Sequence, residues 1–273
     1  MRLGGPVKKT EDASAWVQAH IEAGYDAAYW PNPPVEQEAE YMSAAASAGI
    51  MIAEVGAWSN PLNPDSAERE KAIRFCIDQL ATADRIGARC CVNIAGSLGA
   101  KWDGPAPDDL KERAFAQIVR TVRRIIDAVQ PTRTYYTLET MPWMYPHSVK
   151  SYLRLLEAID RDRFAVHLDV VNLINCPSRY FHNSMLIHDA VAALGAKIRS
   201  CHAKDTLMSD RFTVHIDEVA PGKGTLDYAT LLRELSLLDD DIPIMLEHLP
   251  AEEYPRAAAY IREVAESEGI TLG

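Results

Sequence analysis

The sequence predicts an α/β protein that folds as a single (β/α)8 TIM barrel, and three observations support this prediction. Short apolar segments rich in β-branched residues alternate with longer segments whose apolar residues recur every three or four positions. Eight such short segments fall within 273 residues, close to the length of about 250 residues that is typical of this barrel. No Gly/Ser-rich linker, low-complexity run or repeat divides the sequence, so one domain is predicted over residues 1–273.

The strands are predicted from the short apolar segments in chain order. They are Arg2–Gly5, Ala27–Trp30, Ile50–Glu54, Ala88–Ile94, Thr134–Glu139, Phe164–Asp169, Ile198–His202 and Ile242–Glu247. An open, doubly wound parallel sheet is the alternative arrangement of the same units. No Gly-x-Gly-x-x-Gly motif follows the first strand, and this favours the closed barrel.

The helices between the strands are predicted from apolar stripes of helical period. One stripe follows Pro107 and Asp108, a typical helix start, and comprises Leu110, Ala114, Ile118, Val122, Ile125 and Val129. A second stripe follows the candidate caps Asp65 and Ser66 and comprises Ile73, Cys76, Ile77, Leu80 and Ala83. A third, shorter stripe comprises Tyr152, Leu153, Leu156 and Ile159.

Charge and composition exclude several classes of function. The 28 Lys and Arg residues against 39 Asp and Glu residues give a formal net charge of −11, which is not gathered in one tail. Nucleic acids and anionic membrane surfaces are therefore not expected as partners, because both need clustered cations. No apolar run approaches the roughly 20 residues of a membrane span, and Met1–Thr10 lacks the apolar stretch of a signal peptide, so a cytoplasmic protein is expected. The five cysteines form no Cys-x-x-Cys pair and indicate neither a disulfide framework nor a thiolate zinc site.

Four successive predicted strands end on a side chain that can bind a metal ion, namely Glu139, Asp169, His202 and Glu247. In a closed parallel barrel the carboxyl ends of the strands meet on one face, so these side chains are expected to surround one point. Three carboxylates and one imidazole suit Mn²⁺ or Mg²⁺ and admit Co²⁺ or Zn²⁺, and Mn²⁺ is the predicted ion. A lone acidic residue at a strand end is more often a helix cap or an ion-pair partner. The recurrence in four consecutive units is what indicates a metal site.

Several motifs carry a resemblance to a known family. They are TLE at residues 137–139, HLDVVN at 167–172, CHAKD at 201–205, APGKGTLDY at 220–228 and IMLEH at 244–248. With these motifs the chain resembles the xylose isomerase-like TIM-barrel superfamily of sugar isomerases and epimerases, and its opening, LGGPV and WVQAHIEAGYDAAYWP, is similar to members called sugar phosphate isomerase/epimerase. The resemblance implies that Glu139, Asp169, His202 and Glu247 are the metal ligands. It also implies that the two glutamates act as acid and base and that the protein forms dimers or tetramers.

The chemistry predicted for these residues is proton transfer next to the carbonyl group of a keto-sugar, aldose or polyol. Glu139 would remove the proton, a divalent cation would stabilise the enediolate, and Glu247 would return a proton in an epimerisation or isomerisation. A lyase is the alternative, for example in dehydration of an inosose-type polyol or C-glycoside cleavage of a 3-keto-glycoside. An endonuclease of the superfamily is disfavoured by the net charge of −11. A non-catalytic binding or subunit protein is the alternative from another class.

Further side chains are candidates for contact with a small carbohydrate substrate. His167 shares the inward face of its strand with Asp169, and Lys204 could hold an oxyanion or form a salt bridge at the barrel rim. The ketose 3-epimerases of the superfamily that the chain resembles have an Asp-x-x-His motif at the end of the sixth strand. In this chain Asp169 stands at the aspartate position and Asn172 at the histidine position. The same epimerases imply an arginine after the metal-binding histidine, and the nearby candidates for that position in this chain are Arg211 and His215. The predicted substrate-binding set is His167, Lys204, Trp143, Glu54, Asn93 and Arg211, in which Glu54 and Asn93 are alternatively loop caps.

Five other features are expected near the same end of the barrel. Asp205 would orient an imidazole or form a salt bridge, and His248 would lie at the rim. Pro221–Gly224 is interpreted as a plain turn. The segments Asn175–Asn183 and Thr206–Lys223 are long enough to form a substrate lid or a subunit contact. Aromatic side chains suited to the apolar face of a sugar are Trp30, Trp58, Trp102, Trp143 and Tyr180.

Overall fold

Parallel strands that close into a barrel form the centre of the computed structural model, which describes residues 1–239 and 241–273. The strands are β1 (Arg2–Gly4), β2 (Ala27–Tyr29), β3 (Met51–Gly56), β4 (Cys90–Asn93), β5 (Tyr136–Glu139), β6 (Phe164–Leu168), β7 (Ile198–Ala203), β8 (Asp205–Ser209), β9 (His215–Val219) and β10 (Pro243–Leu246). Eight of these strands form the barrel, in the order β1-β10-β7-β6-β5-β4-β3-β2, and β8 and β9 form a separate two-stranded sheet. The predicted (β/α)8 barrel is confirmed, and each predicted boundary of a barrel strand lies within two residues of the observed one.

Helices alternate with the barrel strands, and the three predicted apolar stripes lie in the third, fourth and fifth of them. They are α1 (Ala13–Ala23), α2 (Glu38–Ser47), α3 (Ser66–Ile86), α4 (Glu112–Val129), α5 (Val149–Ile159), α6 (Pro177–Phe181), α7 (Asn183–Leu194), α8 (Tyr228–Ser236) and α9 (Tyr254–Ser267). The predicted cap of α3 is confirmed, because the Asp65 carboxylate accepts hydrogen bonds from the backbone N–H groups of Ala67 and Glu68. Within the described parts of the chain, none of the helices is both long and apolar enough to cross a membrane.

Two details of the predicted helices are wrong. Helix α4 begins at Glu112 rather than after Asp108, and Leu110 is exposed. The buried Asp109 carboxylate explains why the helix starts later in the chain than predicted. It accepts hydrogen bonds from Ser97 Oγ at 2.6 Å and Leu98 N at 2.7 Å, and these bonds hold the segment in a loop. In α5, Leu155 is buried and Leu153 is exposed, so the apolar face is rotated from the predicted stripe.

The two long segments after β6 and β7 contain regular structure that the sequence analysis did not predict. Helix α6 occupies part of residues 175–183. Strands β8 and β9 form an antiparallel hairpin, in which Thr206 pairs with Glu218 and Ser209 pairs with His215. An antiparallel pair satisfies the backbone hydrogen-bonding groups of a long excursion from the barrel, which is the physical reason for the hairpin.

Backbone contacts divide the described chain into two compact units. The first comprises Met1–Ala53, Asp169–Ala196 and Ser200–Gly273, and the second comprises Glu54–Leu168 and Lys197–Arg199. The organisation of the chain as one domain stays a prediction.

In the first unit, strand register brings two polar side chains together at the end of β10. Strand β10 pairs with β1 and with β7, where Met245 lies opposite His202 and Leu246 lies opposite Ala203. Gly4 is required on β1, because a Cβ atom there would overlap the carbonyl oxygen of Ala27 and the side chain of Met245. The next residues along the two paired strands are Glu247 and Lys204, so the register places them side by side.

In the second unit, one tyrosine fixes the relative position of β5 and β6. The Tyr152 hydroxyl on α5 is fully buried and lies 2.5 Å from the carbonyl oxygen of Leu138 and 3.0 Å from that of Ala165. The same oxygen accepts a hydrogen bond from His167 N at 3.3 Å. The register of the two strands places Glu139 opposite His167, so both side chains stand at the same level of the sheet.

Candidate metal centre

The four side chains predicted to bind a metal ion lie together. Glu139 is the last residue of β5, Asp169 follows β6, His202 lies on β7 and Glu247 follows β10. One ligand atom from each of them lies within 4.8 Å of the others. All four side chains are buried or nearly so, and those of Asp169 and His202 have no exposed surface. Strand ends far apart in the sequence therefore supply one cluster, and the role of these residues as ligands stays a prediction.

Lys204 is the cation of this cluster. Its Nζ atom lies 2.8 Å from Asp169 Oδ2, contacts Glu247 Oε1 and lies 3.4 Å from Glu218 Oε2. The lysine side chain is only 2% exposed, so the ammonium group is held among carboxylates rather than in solvent. The predicted contact with a substrate oxyanion stays a prediction. The observed ion pairs show that Lys204 neutralises part of the negative charge.

Glu247 is ionised because cationic neighbours outweigh its burial. Burial by itself raises the pKa of the Glu247 carboxyl, but the nearby His202 ring, Lys204 and His248 bring that pKa below its usual range. His202 Nδ1 lies 2.8 Å from Glu247 Oε1, so it donates a hydrogen bond to the carboxylate. Glu247 therefore presents a negative charge to the cluster.

The donor set fits a divalent cation. Three carboxylates and one imidazole supply mainly hard oxygen ligands, with one nitrogen of intermediate softness. The ammonium group of Lys204 contacts two of these three carboxylates, those of Asp169 and Glu247, and one ammonium group does not balance three negative charges. A divalent cation would balance the remaining negative charge. Glu139, Asp169, His202 and Glu247 are the residues that could hold it.

Glu54 and His167 form a buried pair in the second unit. Glu54 lies within β3, and its Oε1 atom is 2.9 Å from His167 Nε2 on β6. Neither side chain has any exposed surface. A ligand atom from each of these two residues also lies within 4.8 Å of one on His202. The sequence analysis proposed each residue separately for substrate binding. Their contact with each other required the folded barrel.

The remaining predicted substrate residues have other partners in the structure. Asn93 is fully buried, where its Oδ1 atom accepts a hydrogen bond from Ser59 N and its Nδ2 atom donates one to Cys76 Sγ. These contacts match the loop-capping alternative. Trp143 is partly exposed and donates a hydrogen bond from Nε1 to the carbonyl oxygen of Asp103. Arg211 lies in the connection between β8 and β9 and is largely exposed. Substrate contact by these three residues stays a prediction.

Asp205 organises a loop, so the expectation that it orients an imidazole is wrong. Its carboxylate accepts hydrogen bonds from four backbone N–H groups, those of Thr206, Gly222, Gly224 and Leu226. These bonds tie the start of β8 to the Pro221–Gly224 turn, which agrees with the interpretation of that segment as a plain turn. Gly224 is required there, because a Cβ atom would overlap the Asp205 carboxylate.

The β8–β9 hairpin supplies an acidic side chain that the sequence analysis missed. Glu218 on β9 lies 3.4 Å from Lys204 Nζ, and its other carboxylate oxygen lies 3.3 Å from His248 Nδ1. The hydrogen bond to Glu218 raises the pKa of His248, burial opposes it, and Glu247 adds to the increase. His248 is largely exposed, as expected for a residue at the rim. The β-branched residues Ile216 and Val219 in HIDEV at 215–219 were the available signal for a strand, and the segment lacks the strict alternation of polar and apolar residues that would have made it clear.

A cleft of about 510 Å³ opens in the first unit, beside the cluster. Residues 5–11, which follow β1, and residues 30–34, which follow β2, form much of its wall, and we call it the β1–β2 cleft. Tyr29 lines this cleft, and its ring centroid lies 6.5 Å from that of His202. The Tyr29 hydroxyl donates a hydrogen bond to the carbonyl oxygen of Leu246. One aromatic side chain thus separates the cleft from a candidate ligand.

Solved structures with the same fold cover nearly the whole chain. The probable 3-DHS dehydratase AsbF from Bacillus anthracis is 17% identical with a TM-score of 0.73, over 96% of this chain and 98% of that chain. D-psicose 3-epimerase from Clostridium cellulolyticum H10, solved with D-tagatose, is 14% identical with a TM-score of 0.72, over 99% and 100%. A xylose isomerase-like TIM barrel protein from Mycobacterium smegmatis in complex with magnesium is 15% identical with a TM-score of 0.68, over 94% and 89%. At these identities the likeness shows the fold.

The sequence comparison with protein families gives a more specific result. No curated protein sequence matches the chain at a significant level. The family model described as xylose isomerase-like TIM barrel matches residues 17–264, which is most of the chain. Together with the closed parallel barrel, this match shows that the chain belongs to the xylose isomerase-like TIM barrel family.

Proposed function

We propose that the protein is a divalent-metal-dependent isomerase or epimerase that acts on a keto-sugar, an aldose or a polyol. The observation that supports this proposal is the cluster of Glu139, Asp169, His202 and Glu247, whose ligand atoms lie within 4.8 Å of one another. Mn²⁺ is the proposed ion, because oxygen ligands with one imidazole suit it. The fold shared with D-psicose 3-epimerase is compatible with this chemistry.

The bound ion would act as a Lewis acid, stabilising the charge that develops on a substrate carbonyl oxygen when the adjacent proton leaves. In the proposed reaction Glu139 takes the proton from the carbon next to the carbonyl group. Glu247, which is ionised in the cluster, would first take up a proton from solvent and then give it either to the other face of that carbon or to the neighbouring carbon, and the proton held by Glu139 would return to solvent. Epimerisation is the first outcome and isomerisation is the second.

Two further residues would hold these groups in position. Lys204 contacts both Asp169 and Glu247, so its ammonium group keeps the two carboxylates close together. Because Lys204 is almost fully buried, this attraction is weakly screened by solvent. His167 is held by Glu54 in a fixed orientation, which suits a side chain that must meet a substrate hydroxyl group.

Exchange of substrate hydrogen with solvent tests the proposal. The Mn²⁺-loaded protein is incubated in D₂O with a panel of keto-sugars, aldoses and inososes, and deuterium incorporation is followed by NMR. Glu139→Gln and Glu247→Gln are each expected to lower the exchange rate by about 10²- to 10⁴-fold, the contribution of a positioned acid or base. The exposed Glu252→Gln variant, which removes the same charge, is the matched control.

Two results would contradict the assignment. Exchange that persists in both glutamine variants would exclude Glu139 and Glu247 as acid and base. Exchange accompanied by loss of water from the substrate would assign the lyase reaction instead of the isomerase reaction. The products are therefore identified by NMR in the same samples.

A further inference from the structure

The Lys204 ammonium group has a carboxylate partner outside the set of candidate metal ligands. Its Nζ atom contacts Asp169 and Glu247, which belong to that set, and lies 3.4 Å from Glu218 Oε2, which does not. This distance exceeds the roughly 2.8 Å of a charge-assisted hydrogen bond by only about 0.6 Å. A small movement of the flexible lysine side chain would therefore exchange the two ligand carboxylates for Glu218.

A divalent cation and the Lys204 ammonium group would compete for the same two carboxylates. Asp169 and Glu247 contact the ammonium group in the structure and are also candidate ligands of the ion. Two positive groups held by the same carboxylates repel each other strongly where little solvent screens them, and the Lys204 side chain is only 2% exposed. Occupation of the ligands by an ion therefore favours a position of the ammonium group away from Asp169 and Glu247.

The Glu218 side chain is held where it can receive the lysine. Glu218 lies on β9 and pairs with Thr206 on β8, two residues after Lys204. Its Oε1 atom lies 3.3 Å from His248 Nδ1, in the segment that follows β10. The other oxygen, Oε2, is the one that faces Lys204 Nζ. The hairpin and the end of β10 thus hold one carboxylate oxygen on the side of the lysine.

We propose that Glu218 is a positioning residue, which accepts the Lys204 ammonium group when a divalent cation occupies the candidate metal centre. In the metal-free protein the ammonium group holds Asp169 and Glu247 together and keeps the ligands in place for the ion. In the metal-bound protein it pairs with Glu218 and ties β9 to the barrel. Metal binding is thereby coupled to the order of the β8–β9 hairpin. The inference rests on the proposed function, because it requires the metal ion of that function.

A double-mutant cycle on the affinity for Mn²⁺ tests the inference. Isothermal titration calorimetry measures the Kd of Mn²⁺ for the chelator-treated wild-type protein, Glu218→Gln, Lys204→Met and the double variant. Lys204→Met is expected to tighten binding by about tenfold, because the competing ammonium group is gone. Glu218→Gln should weaken binding by about tenfold when Lys204 is present and by less than about twofold when it is replaced, because Glu218 acts through the lysine.

Hydrogen-deuterium exchange provides a second measurement that does not depend on affinity. Saturating Mn²⁺ should slow the exchange of peptides covering residues 215–219 by about threefold or more in the wild-type protein and leave it unchanged in Glu218→Gln. Asp217→Asn removes the neighbouring, largely exposed carboxylate of the same strand, and this control should keep the wild-type affinity and the slower exchange.

A further variant protects the cycle against loss of folding. If circular dichroism shows that Lys204→Met is unfolded without metal, Lys204→Gln takes its place, because its amide can still donate hydrogen bonds to the two carboxylates. The exchange comparison between the wild-type protein and Glu218→Gln needs neither variant.

Either of two results would overturn the inference. The first is an equal effect of Glu218→Gln on Mn²⁺ affinity with and without Lys204, including no effect in both. The second is equal slowing of hairpin exchange by Mn²⁺ in the wild-type protein and Glu218→Gln. Absence of Mn²⁺ binding by the wild-type protein would reject the inference together with the metal-dependent function. Coupling between Lys204 and Glu218 without deuterium incorporation into any sugar would reject only the proposed reaction.

Discussion

At the scale of single residues, Lys204 is an internal counter-ion for the carboxylates of the candidate metal centre. Its ammonium group contacts Asp169 and Glu247 and is only 2% exposed. A buried carboxylate that loses its cationic partner is an uncompensated charge, which is far less stable in the interior than in water. A divalent cation bound by the same carboxylates would supply positive charge at the same place. Lysine and metal ion therefore have overlapping electrostatic roles.

We expect Lys204→Met to destabilise the protein chiefly when metal ions are removed. In the presence of a chelator the free energy of unfolding should fall by about 3–5 kcal/mol, because two buried carboxylates lose their counter-ion. Saturating Mn²⁺ should restore most of that loss. Urea unfolding with and without Mn²⁺ measures both quantities.

The exposed Lys150→Met variant, on α5, is the control for loss of a lysine, and its stability should change by less than about 0.5 kcal/mol. An equal loss of stability in Lys204→Met with chelator and with Mn²⁺ would show that the role of the lysine does not overlap with that of a metal ion.

At the scale of structural elements, the β8–β9 hairpin brings an acidic residue to Lys204. Glu218 lies on the second strand of the hairpin and approaches Lys204 Nζ within 3.4 Å. Asp205 begins the first strand and accepts hydrogen bonds from the backbone N–H groups of Gly222 and Gly224 in the Pro221–Gly224 turn. One buried carboxylate thus fastens the hairpin at its base and determines where Glu218 lies.

Asp205→Ala is expected to loosen the hairpin without unfolding the barrel. Four backbone N–H groups would lose their acceptor, which should lower the local stability of residues 205–226 by about 1–3 kcal/mol. Hydrogen-deuterium exchange read by mass spectrometry should then be faster in these peptides and unchanged in β4–β6. Asp217→Ala, which removes a largely exposed carboxylate from the same hairpin, should leave the exchange pattern unaltered. Uniformly faster exchange would show that Asp205 supports the whole fold.

At the scale of the whole molecule, a metal ion bound at strand ends would stabilise the native barrel. Glu139, Asp169, His202 and Glu247 come from β5 or β7 or directly follow β6 or β10, and an unfolded chain does not hold them together. An ion that binds the native state alone shifts the unfolding equilibrium by mass action. The effect should therefore depend on an intact ligand set and on the free concentration of the ion.

We expect Mn²⁺ to raise the melting temperature of the chelator-treated protein. At a free concentration of about 100 times the Kd the stabilisation is about 2.7 kcal/mol, which corresponds to roughly 5–10 °C. His202→Ala should lose most of this increase, whereas the exposed His188→Ala should keep it. Differential scanning calorimetry over a range of Mn²⁺ concentrations measures the shift. An equal shift in both variants would remove His202 from the ligand set.

Local patterns in the sequence were enough for the architecture and for the choice of candidate ligands. Apolar periodicity identified the barrel strands because a strand buried on both faces reads as a short apolar run. Glu139, Asp169, His202 and Glu247 stood out because each ends such a run, and a parallel barrel collects these ends on one face. The start of α4 was wrong, since Asp109 holds its segment in a loop through partners at residues 97 and 98, a contact that apolar spacing does not report.

The sequence by itself therefore determined the barrel, its strand boundaries to within two residues and the four residues to consider as ligands. Only the tertiary structure decided how those groups are paired. It placed the Lys204 ammonium group among the carboxylates and brought Glu218 close to that group. It also paired Glu54 with His167, and it placed the Asp205 carboxylate where it accepts hydrogen bonds from the backbone of a turn. The physical reason is that ion pairs and hydrogen bonds depend on distances of a few ångströms. Between residues as much as 113 positions apart, those distances follow from barrel closure and strand register rather than from local sequence.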